Sequence, residues 1–89
     1  MTRPWEADAS ASFARRLGKS AQELNHTKDD DGCPDIWELD NGDVVVIGRD
    51  MTDAYARRLP AGVTVARDER LVVIPGDMLR SAKPDIADA

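Results

Sequence analysis

The sequence predicts an α+β protein in which an N-terminal helix precedes two pseudo-symmetric ββα units that form a small antiparallel sheet. The first observation behind this prediction is an internal repeat: residues 44–51 align with residues 71–78, and five of the eight positions are identical. The second is helical spacing of the apolar residues between positions 10 and 25. With 89 residues, 4% of them aromatic, the chain is one domain with a mainly aliphatic core.

The N-terminal helix is predicted over residues 10–25. Its apolar side chains follow one another at steps of four, four and three, which places them on one helical face: Phe13, Leu17, Ala21 and Leu24. We therefore assign residues 1–28 to an N-terminal helical arm. The polar, aspartate-rich residues 29–35 are assigned to a mobile acidic linker.

The repeat region, residues 36–84, begins with a predicted hairpin. Ile36–Leu39 and Val44–Ile47 read as strands, and Asn41-Gly42 between them favours a type I′ turn. Asp50 is placed to cap a short helix that follows. The second unit repeats this order with Val63–Ala66, Leu71–Ile74, a cap at Asp77 and a helix ending at Lys83. Residues 85–89 read as a disordered tail.

The repeated strands indicate that the sheet is covered on both sides. Val44–Ile47 and Leu71–Ile74 each contain four consecutive apolar residues, whereas a strand that is wet on one face alternates. The short helices can cover one face. The other requires the N-terminal helix or a second chain, so we expect a homodimer or an obligate protein partner.

Charge and cysteine content limit the function classes. The net charge is −5: residues 1–28 carry five basic and three acidic groups, and residues 29–89 carry seven basic and fourteen acidic groups. An acidic body is a poor match for phosphate backbones, so nucleic acid is not the expected partner, although DNA binding stays open as an alternative. One cysteine and no long apolar run favour a cytoplasmic protein without a membrane span or signal peptide.

No set of residues predicts catalysis or a cofactor. The acidic loop from Asp29 to Gly32 lacks the alternating ligands of a calcium loop, and His26 with Cys33 supplies too few ligands for zinc. We therefore expect no enzyme, no cofactor and no metal. A small hydrolase or isomerase at a dimer interface would need a pocket lined by Asp50, Asp77, Tyr55 and arginines from both chains.

Two groups of residues are candidates for binding a partner. Trp37 and Leu39 share one face of the predicted hairpin, and Val45 lies on the strand beside them. Tryptophan is enriched among residues that dominate binding energy. The basic residues of the predicted helix form the second group: Arg15, Arg16 and Lys19.

The chain also resembles a known family. The stretch from Cys33 to Gly48, together with Glu69–Pro75 and Ala82–Ile86, is similar to small uncharacterised proteins of Streptomyces and related actinomycetes. These proteins have no assigned activity and accompany regulatory genes. The resemblance implies a regulatory or adaptor role and supplies no functional residues.

A shorter resemblance concerns the segment from Glu69 to Arg80. It is similar to the strand-proline-helix core of swapped-hairpin AbrB/MazE-type transcription factors and antitoxins. That family forms dimers of interleaved hairpins and binds DNA through basic residues, which implies a toxin-binding or DNA-binding role. We therefore expect a non-enzymatic protein-interaction module, a regulatory adaptor or antitoxin-like protein, with a swapped-hairpin DNA-binding transcriptional regulator as the alternative.

Overall fold

The computed structural model describes residues 4–28 and 32–86. The elements in chain order are β1 (Phe13–Arg16), β2 (Asp35–Leu39), β3 (Val44–Ile47), β4 (Arg49–Asp50), α1 (Thr52–Tyr55), β5 (Val72–Val73) and α2 (Gly76–Ala82). Single 3₁₀ turns, Ala56–Arg58 and Lys83–Asp85, extend the two helices. The α+β class is confirmed: the described chain combines a small three-stranded antiparallel sheet with two short helices.

Strand β2 is the centre of the sheet. It pairs with β1 on one side and with β3 on the other, both antiparallel, and β4 pairs with β5 in a separate two-stranded sheet. In the β2–β3 hairpin Trp37 lies opposite Val45 and Asp35 lies opposite Ile47. The hairpin predicted around Asn41-Gly42 is therefore present, and its two strands have the predicted bounds within one residue.

The turn of this hairpin differs from the predicted type I′ turn. A type I′ turn needs positive φ at both central residues, but only Gly42, with a φ of 90°, has it, and Asn41 does not. The amide of Gly42 donates to the carbonyl of Leu39, and the Leu39 amide donates to the carbonyl of Asp43. These bonds are typical of a three-residue loop with a left-handed glycine, the next commonest hairpin connection.

The predicted N-terminal helix is wrong. Phe13–Arg16 forms a strand on the second edge of β2, and Gly18 has a φ of 78°, which no right-handed helix accommodates. Nearby, the Leu24 amide donates to the Ser20 carbonyl in a single turn that ends at Asn25, whose φ is 63°. Helical spacing of apolar residues could not reveal that β2 offers an edge for pairing.

The predicted pseudo-symmetry is also wrong. Val63–Ala66 does not form a strand, and its last amide donates instead to the Glu69 carboxylate at 2.8 Å. Val72–Val73 pairs with β4, the continuation of the first unit, so the second unit has no hairpin of its own. The two repeated segments consequently have different strand pairings. The first forms one strand of the β2–β3 hairpin, and the second pairs with β4, which follows that hairpin.

Helix α2 packs on β2 and builds the small core. Met78 and Ala82 are buried against Ile36, and the loop after β1 contributes two more buried residues, Leu17 and Ala21. Gly18 is in close contact with α2, because a Cβ atom there would lie 2.5 Å from Ser81 Oγ and 2.7 Å from the Ala82 amide nitrogen. The core therefore forms where the first loop, the central strand and the last helix meet.

Strand β3 is much less covered than the sequence predicts. Within the single chain, Val44 is 52% exposed, Val46 is 40% exposed and Ile47 is 39% exposed. Covering of both faces in an assembly remains a prediction.

The remaining predicted segments are only partly described. Residues Asp29–Asp31 of the predicted linker and residues 87–89 of the predicted tail lie outside the described part of the chain. At the ends of these segments Asp35 is buried in β2, and Asp85 accepts a hydrogen bond from the Gly18 amide at 2.7 Å.

Candidate functional site

The two faces of the three-stranded sheet have different surroundings. Side chains alternate between faces along a strand. Ile36 points toward α2 and is buried against Met78, so the even-numbered side chains of β2 lie on the face that carries the core. Asp35, Trp37 and Leu39 consequently lie on the opposite face, which no helix in the described part of the chain covers.

This opposite surface, which we call the open face, is largely apolar. The pairing places Phe13 beside Leu39, Val45 beside Trp37 and Ile47 beside Asp35. Its apolar members are Phe13, Trp37, Leu39, Val45 and Ile47. Phe13 is 58% exposed, and its ring meets the Trp37 ring edge-on at 5.7 Å between centroids. Antiparallel sheets normally present polar side chains on a solvated face, so this apolar surface is unusual.

An ion pair fixes the centre of the open face. Arg16 donates from Nε to Asp35 Oδ1 at 2.8 Å and from a terminal nitrogen to Oδ2 at 3.0 Å. The same guanidinium lies over the Trp37 ring, 4.8 Å from its centroid. The Arg16 guanidinium is therefore fixed by the Asp35 carboxylate and stacks on the Trp37 indole, which restricts the position of the indole as well.

The pKa values of this ion pair follow from its environment. Burial is the largest influence on Asp35 and raises the pKa of its carboxyl, but hydrogen bonds from Arg16 and the Trp37 indole together outweigh it, so the pKa lies below its ordinary value. The hydrogen bond to Asp35 raises the pKa of Arg16. Both groups are consequently charged near neutral pH, and the pair adds no net charge to the open face.

The structure brings together four of the six predicted partner-binding residues. Trp37, Leu39 and Val45 lie side by side on the open face, and Arg16 stacks on Trp37. Arg15 lies on the other face, where it bonds Glu38 at 3.3 Å and the carbonyl of Asp85. Arg15 is thus separated from the four predicted residues that lie together on the open face.

Lys19 does not join them either. It lies beyond the end of β1, where its backbone amide donates to the Ser81 hydroxyl. The three basic residues predicted on one helix therefore do not form one patch.

Three members of the open face are absent from the partner-binding residues predicted from the sequence: Phe13, Asp35 and Ile47. Ile47 was placed in a strand but not among the candidates. Phe13 was placed on the apolar side of a helix, and Asp35 was placed in the linker, whereas it is the first residue of β2. No apolar alternation marks Asp35 as a strand residue, because it is polar and precedes two consecutive apolar residues, Ile36 and Trp37. The exposure of Phe13 depends on the pairing of β1, which no local pattern revealed.

A groove of about 400 Å³ lies between the start of β2 and β5. It is lined by His26, Cys33 and Arg49, among others. His26 Nε2 lies 2.8 Å from Asp77 Oδ1, and this hydrogen bond is the main cause of the lowered pKa of Asp77. A cysteine nucleophile needs a base within hydrogen-bond reach, and no such bond joins Cys33 to His26 within the described residues.

The two repeated aspartates do not meet in one site. Asp50 borders a separate cleft of about 670 Å³ and accepts hydrogen bonds from the hydroxyl and the amide of Thr52, which lower its pKa. Asp77 lies in the first turn of α2 and contacts His26. Met51 and Pro75 occupy the N-cap positions, but the Asp50 carboxylate accepts from the amide of Thr52, the first residue of α1, and so caps that helix as predicted. Asp77 lies inside α2, so the predicted cap at Asp77 is wrong.

No group of three or more histidine, cysteine, aspartate or glutamate side chains among residues 4–28 and 32–86 is arranged to hold a metal ion. Within those ranges, none of the helices has the length and apolar character needed to cross a bilayer. Comparison of the chain with protein-family models, with curated proteins and with solved structures gives no match.

Proposed function

We propose that this protein is a non-enzymatic interaction module, a cytoplasmic regulatory adaptor or antitoxin-like protein, that binds a protein partner through the open face. The observation that supports this proposal is the cluster formed by Phe13, Trp37, Leu39, Val45 and Ile47 on a sheet face that α2 leaves uncovered. Contiguous exposed apolar surface on a soluble chain is typical of an interaction site.

The composition and rigidity of the open face support binding with useful affinity. Binding energy in protein interfaces concentrates in tryptophan, tyrosine and arginine residues near the centre of the contact. Trp37 and Arg16 occupy such a position, and the bonds from Arg16 to Asp35 hold both side chains before any partner arrives. Side chains ordered in advance lose less conformational entropy on binding.

The charge distribution favours a protein partner over duplex DNA. Arg16 is paired with Asp35, and Arg15 is paired with Glu38. DNA binding relies on basic groups that can replace counterions along the phosphate backbone. A swapped-hairpin regulator would therefore have to use basic residues away from the open face.

The test compares capture by the wild-type chain with capture by two tagged variants, at low salt and from lysate of the native host. Phe13→Ala removes an exposed aromatic ring of the open face, and Trp5→Ala removes a ring that is 63% exposed elsewhere. We expect Phe13→Ala to weaken binding of the captured protein by about 1–2 kcal/mol, measured by titration calorimetry, because truncated interface aromatics cost this much. Trp5→Ala should bind as the wild type does.

Equal binding by both variants would contradict the proposal. Titration of duplex DNA provides the second arm of the same experiment. Tight binding to DNA at low salt that falls steeply with added salt would replace the adaptor function with the DNA-binding alternative.

A further inference from the structure

The outer edge of β3 carries unpaired backbone groups. The Leu39 amide bonds the carbonyl of Asp43, so by the alternation of an antiparallel ladder Val45 and Ile47 also direct their backbone groups toward β2. The carbonyl of Ile36 accepts instead from the Leu17 amide in the loop after β1, which agrees with this alternation. The N–H and C=O groups of Val44 and Val46 consequently point away from the sheet.

The free edge continues past the end of β3. The Met51 amide donates to the Leu71 carbonyl, next to the β4–β5 pairing. Met51 is odd-numbered, like Val45 and Ile47, whose backbone groups point toward β2. Strand β5 therefore lies on the same side of the chain as β2. The opposite side, from Val44 onward, has no strand against it in the described part of the chain. A row of outward amides and carbonyls is a template for pairing with another strand.

The two edges of the sheet differ in how they are protected. Edge strand β1 carries Arg15 and Arg16 and an irregular register after Phe13, features that discourage pairing with another chain. Edge strand β3 is Val-Val-Val-Ile, without a charge, a proline or a bulge. Such an exposed, regular and β-branched edge is well suited to receive a further strand.

The geometry points to a second copy of this chain as the occupant of the β3 edge, forming a continuous six-stranded antiparallel sheet. This inference does not depend on the proposed function. The outward N–H and C=O groups of one copy must bond the outward groups of the other. Because the outward groups belong to even-numbered residues, an even-numbered residue must lie opposite an even-numbered residue. The register centred on Val46 places Val46 opposite Val46 of the second copy and Val45 opposite Ile47.

Charge complementarity selects this register among the permitted ones. It places Asp43, the residue before β3, opposite Arg49 of the second copy, and the two-fold symmetry repeats this pair at the other end. A shift of two residues either way moves Asp43 opposite Ile47 or opposite Met51 and loses both ion pairs. In the described chain Arg49 is exposed and has no ion pair of its own.

The two-fold axis of such a pairing stands perpendicular to the sheet. Val45 and Ile47 of both copies therefore lie on the same side, and the open faces of the two copies join into one surface. Cross-strand pairs of β-branched residues stabilise a sheet, and the central pairs here are all of this kind. The dimer would thus double the apolar face without covering it.

The test uses two variants of the central residue. Val46→Lys and Val46→Glu each place two like charges opposite one another, with Cα atoms about 5.5 Å apart, whereas Val44→Lys places its charge opposite Gly48. We expect each Val46 variant alone to self-associate about fivefold or more weakly than the wild type and Val44→Lys. At a concentration near the wild-type dissociation constant, each Val46 variant alone should therefore sediment mainly as a monomer. An equimolar mixture of Val46→Lys and Val46→Glu should sediment as a heterodimer.

Restoration of the dimer in the mixture is specific to the proposed register, because only there do the two substituted residues meet. Far-UV circular dichroism of each variant establishes that the chain is folded. A monomeric wild type at concentrations up to the millimolar range would overturn the inference. It would equally be overturned by a Val46→Lys variant that dimerises as the wild type does, or by a mixture that stays monomeric.

Discussion

Asp35 is the residue that does most to fix the open face. Its side chain is 9% exposed, and it accepts two hydrogen bonds from Arg16. A carboxylate that is removed from water needs such partners to stay charged. Because the arginine stacks on the indole, loss of the carboxylate would release both side chains.

Substitution of Asp35 should reveal this role in stability. We expect Asp35→Asn to lower the free energy of unfolding by about 1–2 kcal/mol at neutral pH, because hydrogen bonds to a charged group contribute more than neutral ones. Asp53→Asn, which changes an exposed carboxyl in α1, should stay within about 0.5 kcal/mol of the wild type. Urea unfolding of the three chains measures both values.

The same comparison has a defined pH dependence. The pKa of Asp35 is lower in the folded chain than its ordinary value of 3.8, so ionisation of this carboxyl stabilises the fold above that pH. The contribution disappears as the pH falls through the folded-state pKa. The wild type and Asp35→Asn should therefore converge in stability under strongly acidic conditions, and a constant difference at all pH values would contradict this account.

Among the elements, α2 depends most on a single side chain. Met78 is fully buried at 0% exposure between the helix and Ile36, whereas its neighbour Leu79 is 58% exposed. The described core contains few other large side chains, so the packing of α2 on the sheet has little redundancy.

Replacing Met78 or Leu79 by alanine should show whether the stability of the chain depends on the buried side chain or on helix propensity. Met78→Ala should destabilise the chain by about 2–5 kcal/mol, because it removes buried surface and leaves a cavity. Leu79→Ala is expected to change stability by no more than about 0.5 kcal/mol. Thermal unfolding followed by circular dichroism measures both, and similar midpoints for the two variants would show that α2 does not pack as described.

The elements also show what local sequence patterns can and cannot predict. The β2–β3 hairpin followed from two apolar runs around Asn41-Gly42, and these signals are local. The residues chosen for the apolar side of the N-terminal helix did reach the core in part, because Leu17 and Ala21 are buried. Their conformation was wrong, since the edge of β2 and the left-handed Gly18 decide it.

At the scale of the whole molecule, the repeat misled for a physical reason. Two similar segments predict two similar units only if each finds the same partner. Val72–Val73 pairs with Arg49–Asp50 because β4 continues directly from the first hairpin and lies within reach. Contacts between distant segments, which decide the topology, are absent from the local pattern on which the prediction relied.

The candidate site was predictable to the extent that it lies on one hairpin. Trp37, Leu39 and Val45 share a face because of strand alternation alone. Phe13 and Arg16 join them only through the pairing of β1 with β2, and the helical interpretation of that segment hid both. The open face as a continuous surface therefore emerges only from the three-stranded sheet.

The most direct test of binding through the open face is a nuclear magnetic resonance titration of the nitrogen-15-labelled chain with its captured protein partner. The chain has two tryptophans, and their indole N–H signals report separate places: Trp37 lies on the open face, whereas Trp5 lines a cleft with Val65 and Leu71. We predict that the Trp37 indole signal shifts or broadens during the titration while the Trp5 signal stays unchanged. Movement of the Trp5 signal alone, or binding without any change at Trp37, would contradict the proposed interaction surface.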